Sequence, residues 1–212
     1  MDTTPQPKKA GCSIRLFAVA AVLVGLIALL LPARSRSRSS VLQEQCQENL
    51  KSIGLALHAY HQGHGCFPPA YLADDSGRPM HSWRVLLLPY LGWKDVYGRY
   101  RFTEPWDSEH NRSLLNSFGE RSPFRCRFSS RAAWGNRIPE EETWTTYFML
   151  FGPNSLSDGP HCSTTGDVAD GLSQTIAVIE GYEPAILWTE PRDITADQFL
   201  SHLATPVDGR FT

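Results

Sequence analysis

The chain lacks the short signatures that announce common chemistries. It has no Cys-x-x-Cys spacing, which argues against a zinc ribbon. It has no Gly-x-Ser-x-Gly elbow, no phosphate-cradling Gly-x-x-x-x-Gly-Lys and no glycine-rich dinucleotide fingerprint. Charge of neither sign dominates: the net charge is −2, so nothing points to nucleic acid as a partner. No catalytic residue, metal ligand or cofactor is therefore assigned, and no small-molecule ligand is named. An enzymatic reading would need titratable groups that converge in a pocket.

The sequence does contain one organising stretch, Cys46 to Tyr60. Leu42, Cys46, Leu50, Ile53, Leu57 and Tyr60 recur at helical spacing and form an apolar stripe. Ser40 and Gln43 predict a capping box at the start, and Gly63 a left-handed stop. Upstream, Leu16 to Leu31 is a 16-residue run without charge, which predicts a transmembrane anchor over residues 14–32. The alternative is a cleaved secretory signal ending near Ala33. Residues 1–13 read as a disordered N-terminus, and 33–40 as an Arg/Ser hinge. Residues 41–212 are left for an extracytoplasmic domain.

Within that domain the 15 prolines and 16 glycines favour a loop-rich fold. Gly65 to Tyr71 is expected to be extended by its prolines, and Asp74 to Gly77 to turn. Ser82 caps a predicted helix carrying Trp83, Leu86, Leu87, Tyr90 and Leu91 on one face, interrupted at Pro89, and a buried strand at Arg84–Leu88 is the alternative. Asp107 is expected to cap a short helix, and Pro123 to Cys126 to begin a strand. Strands are predicted at Thr143–Phe151, Thr175–Glu180 and Ala185–Trp188, and Thr195-x-x-Gln198 caps a closing helix. The class is α+β: a long N-terminal membrane-anchored helix packed on a small antiparallel sheet.

Several clusters invite chemistry and have plainer readings beside them. His58, His61 and His64 have a spacing a metal can use, or are exposed histidines favoured near a helix C-terminus. Asp170, Glu180, Glu183, Glu190 and Asp193 suit calcium, or are solvated loop carboxylates without EF-hand spacing. Trp83, Trp106, Trp144 and Trp188 make a glycan or peptide platform if exposed together, and core if buried. Cys46, Cys66, Cys126 and Cys162 allow three pairings if oxidised.

The ordered blocks resemble a family of bacterial pilin-like proteins that join a prepilin-type helix to a domain of unknown function. They are Cys46-x-x-Asn-Leu-Lys-x-Ile-Gly-Leu-Ala-Leu-His58, Phe67-Pro-Pro-Ala70, Ser82-Trp-Arg-Val-Leu-Leu-Leu-Pro-Tyr-Leu91, Glu104-Pro-Trp-Asp107, Phe124-Arg-Cys126, Gly152-Pro153, Asp170-Gly-x-Ser-x-Thr-Ile176 and Trp188-x-Glu-Pro191. The resemblance implies a fold like that of type II secretion pseudopilins and a single pass through the cytoplasmic membrane, with the domain outside. It implies a non-enzymatic structural, surface or secretion role, with the membrane and pilin-like or secretion-system chains as partners. No catalytic residues come with it.

The chain departs from the family at Leu16, where a glutamate would pair with a neighbour's amino terminus, so poor entry into filaments is expected. His202 and Asp208-Gly-Arg-Phe211 stand for a shortened closing hairpin. In the implied orientation the downstream cysteines meet an oxidising space. Cys46 is then expected to pair with Cys126, tying helix to sheet, and Cys66 with Cys162.

Overall fold

A computed structural model describes residues 11–127, 143–153, 155–181 and 186–204. It divides into two units, Met1–Val41 and Leu42–Thr212, which are described separately.

Helix α1 runs from Gly11 to His64. Among its first-unit side chains, Val19, Val22, Leu23, Val24, Leu26 and Ile27 are all exposed. The expected membrane anchor is corrected here: among the described residues, no helix is long and apolar enough to cross a membrane. The single-pass localisation and the membrane-anchored form of the fold class fall with it.

The Arg/Ser hinge over 33–40 is helical as well. That stretch holds neither glycine nor proline, and arginine is a good helix former. The helix therefore has no start at Ser40, because the amides beyond it find carbonyls in the preceding turn. Nor does it stop at Gly63. It closes one residue after His64, where Gly65 takes φ +78 and donates its amide to the His61 carbonyl at 2.8 Å.

In the second unit the stripe faces inward, with Cys46, Ile53, Ala56 and Leu57 buried and Leu42, Leu50 and Tyr60 half-buried. Over it lie two small sheets. Strands β1 (Tyr71–Ala73) and β2 (Pro79–Ser82) form an antiparallel hairpin in which Tyr71 faces Ser82. Its turn is closed by Asp74, whose carboxylate accepts from the Ser76 and Arg78 amides. The second sheet has β3 (Tyr147–Phe151) at its centre, with β4 (Val178–Glu180) antiparallel and β5 (Ile194–Thr195) parallel on its flanks. The sheet is mixed, where an antiparallel one is expected from sequence. A central strand covered on both faces reads as a continuous apolar run, and Tyr147 to Leu150 are all buried.

Helix α2 (Trp83–Leu87) starts at Ser82, whose hydroxyl accepts from the Arg84 amide, and Pro89 turns its continuation into a tighter helix over Leu88–Leu91. Helix α3 is Lys94–Arg99 and α4 is Glu109–Ser113. Ser108, not Asp107, caps α4, because its hydroxyl reaches the Asn111 amide. Two expected strands are absent among the described residues. Residues 123–126 pair with the chain only through single bonds, such as Thr146 N–H to the Phe124 carbonyl at 2.9 Å. Of the expected strand Ala185–Trp188, the described residues 186–188 hold one bridge, between Trp144 and Leu187, and Ala185 lies outside the described residues. Helix Ala196–Ala204 closes the described chain, capped as expected by Thr195 and Gln198. The stretch 208–211 lies outside the described residues.

Candidate functional site

Cys46, on α1, and Cys126, in the segment before β3, are joined by a disulfide with Cα atoms 5.0 Å apart. The neighbourhood is fixed by hydrogen bonds from both sides. Asn49 Nδ2 donates to the Arg125 carbonyl at 3.1 Å, and the Tyr147 hydroxyl to the Cys46 carbonyl at 3.2 Å. The Cys126 amide donates to Thr146 Oγ1 at 2.7 Å. Glu180 on β4 brings its carboxylate within 4.8 Å of both sulfurs. Burial pushes that carboxyl upward, and burial followed by the Glu180 charge raises the Tyr147 phenol. The bonded sulfurs offer no thiolate, so this trio holds no metal while the disulfide stands.

A second constellation was not legible in the sequence. Arg84 is fully buried, and its guanidinium meets Asp193 with Nη2 to Oδ1 at 2.7 Å. The same group donates to the Tyr147 carbonyl at 2.8 Å and to Ser82 Oγ at 2.8 Å. Asp193 also accepts from Trp83 Nε1 at 3.1 Å and from the Met149 amide at 2.8 Å. The cation lies 4.9 Å from the Trp83 ring. Burial pushes the Asp193 carboxyl up to about 6, against the pull of Arg84, the Met149 amide and the Trp83 indole N–H. Every strong donor and acceptor here is spent on another part of the fold, which makes the pair a fastener between α2, β3 and β5. In the sequence, Arg84 sits on an ordinary helix and Asp193 among loop acids, and nothing local links them.

The other sequence candidates scatter. His61 packs against Phe67 with ring centres 4.5 Å apart, and His64 stacks on Tyr60 at 3.9 Å. His64 Nδ1 lies 3.0 Å from the Tyr60 carbonyl, and the three histidines do not group with any further ligand among the described residues. Glu190 pairs with Arg192 at 3.0 Å, Asp193 serves Arg84, Asp170 is exposed, and Glu183 lies outside the described residues. The acids thus form no calcium set among the described residues. Trp83 and Trp188 are completely buried, while Trp106 and Trp144 are half-buried. The expected bond between Cys66 and Cys162 is not formed in this structure: both are free thiols, Cys66 half-buried and Cys162 exposed.

With the geometry in place, the family follows from a match over most of the chain. A family model described as "Protein of unknown function (DUF1559)" covers residues 43–202. The chain belongs to the DUF1559 family. The matched span holds α1 from the organising stretch onward, both sheets, the disulfide and the Arg84–Asp193 pair. Residues Val19 to Ile27 lie outside the DUF1559 match. No curated protein and no solved structure matches the chain.

Proposed function

We propose that this DUF1559 protein is a non-enzymatic structural subunit that assembles with pilin-like chains, including copies of itself, through the apolar residues of its N-terminal helix. One observation carries the proposal. Val19, Val22, Leu23, Val24, Leu26 and Ile27 are each between 52% and 65% exposed. Stepping 100° per residue, and with Ala20, Ala21 and Gly25 between them, they leave no polar face on this part of the helix. A helix that is apolar all round is stable in water only when something covers it. Equivalent uncharged segments of further chains are a self-complementary cover, and small residues such as Ala20 and Gly25 let such helices approach closely.

Because Leu16 stands where the pilin-like pattern has its pairing glutamate, the proposed assembly rests on apolar contact and not on filament entry. The titratable groups that the fold brings together act on one another, as Arg84 and Asp193 do, which supports a scaffold over a catalyst. The test is the association state of the full chain by sedimentation. The native chain should sediment as an assembly. A Leu23→Asp/Leu26→Asp variant should sediment as a monomer with an unchanged unfolding midpoint for the folded domain. A native chain that is monomeric at tens of micromolar would remove the proposal.

A further inference from the structure

The free cysteines sit on two segments that already run side by side. The amide of Phe67, next to Cys66, donates to the carbonyl of Ser163, next to Cys162, at 2.7 Å. The Ala70 amide donates to the Gly159 carbonyl at 2.8 Å and to Ser157 Oγ at 2.8 Å, holding the two segments together a few residues further along. The Cys66 and Cys162 side chains come within hydrogen-bonding reach of each other, so a modest shift brings the two sulfurs to bonding distance. The thiols feel each other: burial first, and then Cys162, pushes the Cys66 thiol up to about 11. The Tyr60 phenol is pushed up to about 12 by burial, with both thiols and the Tyr90 and Tyr97 phenols adding to it.

We infer that Cys66 and Cys162 form a second, reversible disulfide, a redox latch that fastens the loop around Ser157–Ser163 to the end of α1. Exposure separates this pair from the first. Cys46 is 5% and Cys126 0% exposed, whereas Cys162 is open to solvent and Cys66 half-buried. A chain that carries the Cys46–Cys126 bond has met a disulfide-generating oxidant. The co-reactant of the latch is a small disulfide of the glutathione class. The exposed Cys162 thiolate, having given its proton to solvent, attacks one sulfur of that disulfide and releases one thiolate. The Cys66 thiolate then attacks Cys162 Sγ and displaces the second. Two protein thiols are oxidised, one small disulfide is reduced to two thiols, and a small thiol in excess reverses both steps. Because Cys66 holds its proton so firmly, the closing step should accelerate as pH rises toward the Cys66 value.

The full chain, equilibrated in buffers of graded glutathione disulfide to glutathione ratio, then alkylated and digested, tests the inference by mass spectrometry. Cys66 and Cys162 should lose their alkylation labels together, and a Cys66–Cys162 linked peptide should appear in the monomeric fraction. Over the same range Cys46 and Cys126 should stay linked. In a Cys66→Ser variant, Cys162 should retain glutathione as a stable mixed disulfide, whereas in the native chain it should not. Two results would overturn the inference. One is full alkylation of both residues at the most oxidising ratio. The other is recovery of native Cys162 only as a glutathione adduct or a link between chains. A cooperative unfolding transition measured for each variant reports that it is folded, so a misfolded sample is recognised and not counted.

Discussion

Arg84 and Asp193 show what a buried charge demands of its surroundings. The guanidinium is enclosed on all sides and the Asp193 side chain is 2% exposed, so neither charge can turn to water if its partner is lost. Arg84→Met or Asp193→Asn should each cost about 3–5 kcal/mol in denaturant unfolding, because each strands the other group. The double variant Arg84→Met/Asp193→Leu should cost less than the two single losses added together. Full additivity would show that the side chains act independently. His81 offers a second test, through pH. Its Nε2–H donates to the Phe102 carbonyl at 3.0 Å, so Nδ1 accepts from the Tyr100 hydroxyl at 3.0 Å and the ring is neutral. Burial holds its pKa below the ordinary 6.5. The unfolded chain then binds the extra proton first, and the His81 contribution is lost as pH falls below about 6.5 toward the folded value. The unfolding midpoint of the native protein should drop more steeply between about pH 7 and pH 5 than that of His81→Gln. Parallel slopes for the two proteins would assign the acid sensitivity elsewhere.

The closing helix shows how much a local pattern decides. Thr195 Oγ1 accepts from the Gln198 amide at 3.1 Å, and Gln198 Oε1 accepts from the Thr195 amide at 2.9 Å, a reciprocal cap. Thr195→Ala should destabilise by about 1 kcal/mol and speed hydrogen exchange in the first turn of Ala196–Ala204. Unchanged exchange there would mean that packing, not capping, sets the helix start. Such elements were legible in sequence because their causes are local: this cap, Ser82 before α2, Pro89 just beyond it, and the turn at Asp74 to Gly77. Elements governed by distant partners were not. The parallel place of β5 beside β3 depends on where Asp193 finds Arg84, and no spacing encodes that. Residues 123–126 have the residues of a strand but meet Thr146 through side-chain and single backbone bonds. At Ser40 a good capping residue was overruled by the helical turn that precedes it. Leu16 to Leu31 misled in another way, since apolar composition reports that a segment wants cover but not what covers it.

Across the whole molecule, the Cys46–Cys126 bond joins positions 80 residues apart and ties α1 to the segment before β3. Opening it with Cys46→Ser/Cys126→Ser should cost ~4.5 kcal/mol in the chain-entropy account, read as a lowered denaturant midpoint. A loss under about 1 kcal/mol would mean that packing around Ile53 and Leu57 already restrains the unfolded chain. The bond secures the DUF1559 fold, and the exposed apolar residues Val19 to Ile27 are what that fold leaves unexplained. Their cover is the central claim, and photo-crosslinking tests it most directly. A benzophenone amino acid replaces Val24 in the full chain, and the attachment site is mapped by mass spectrometry. The account predicts crosslinks to residues 19–27 of a second chain. Crosslinks confined to residues 42–204, or none between chains, would contradict it.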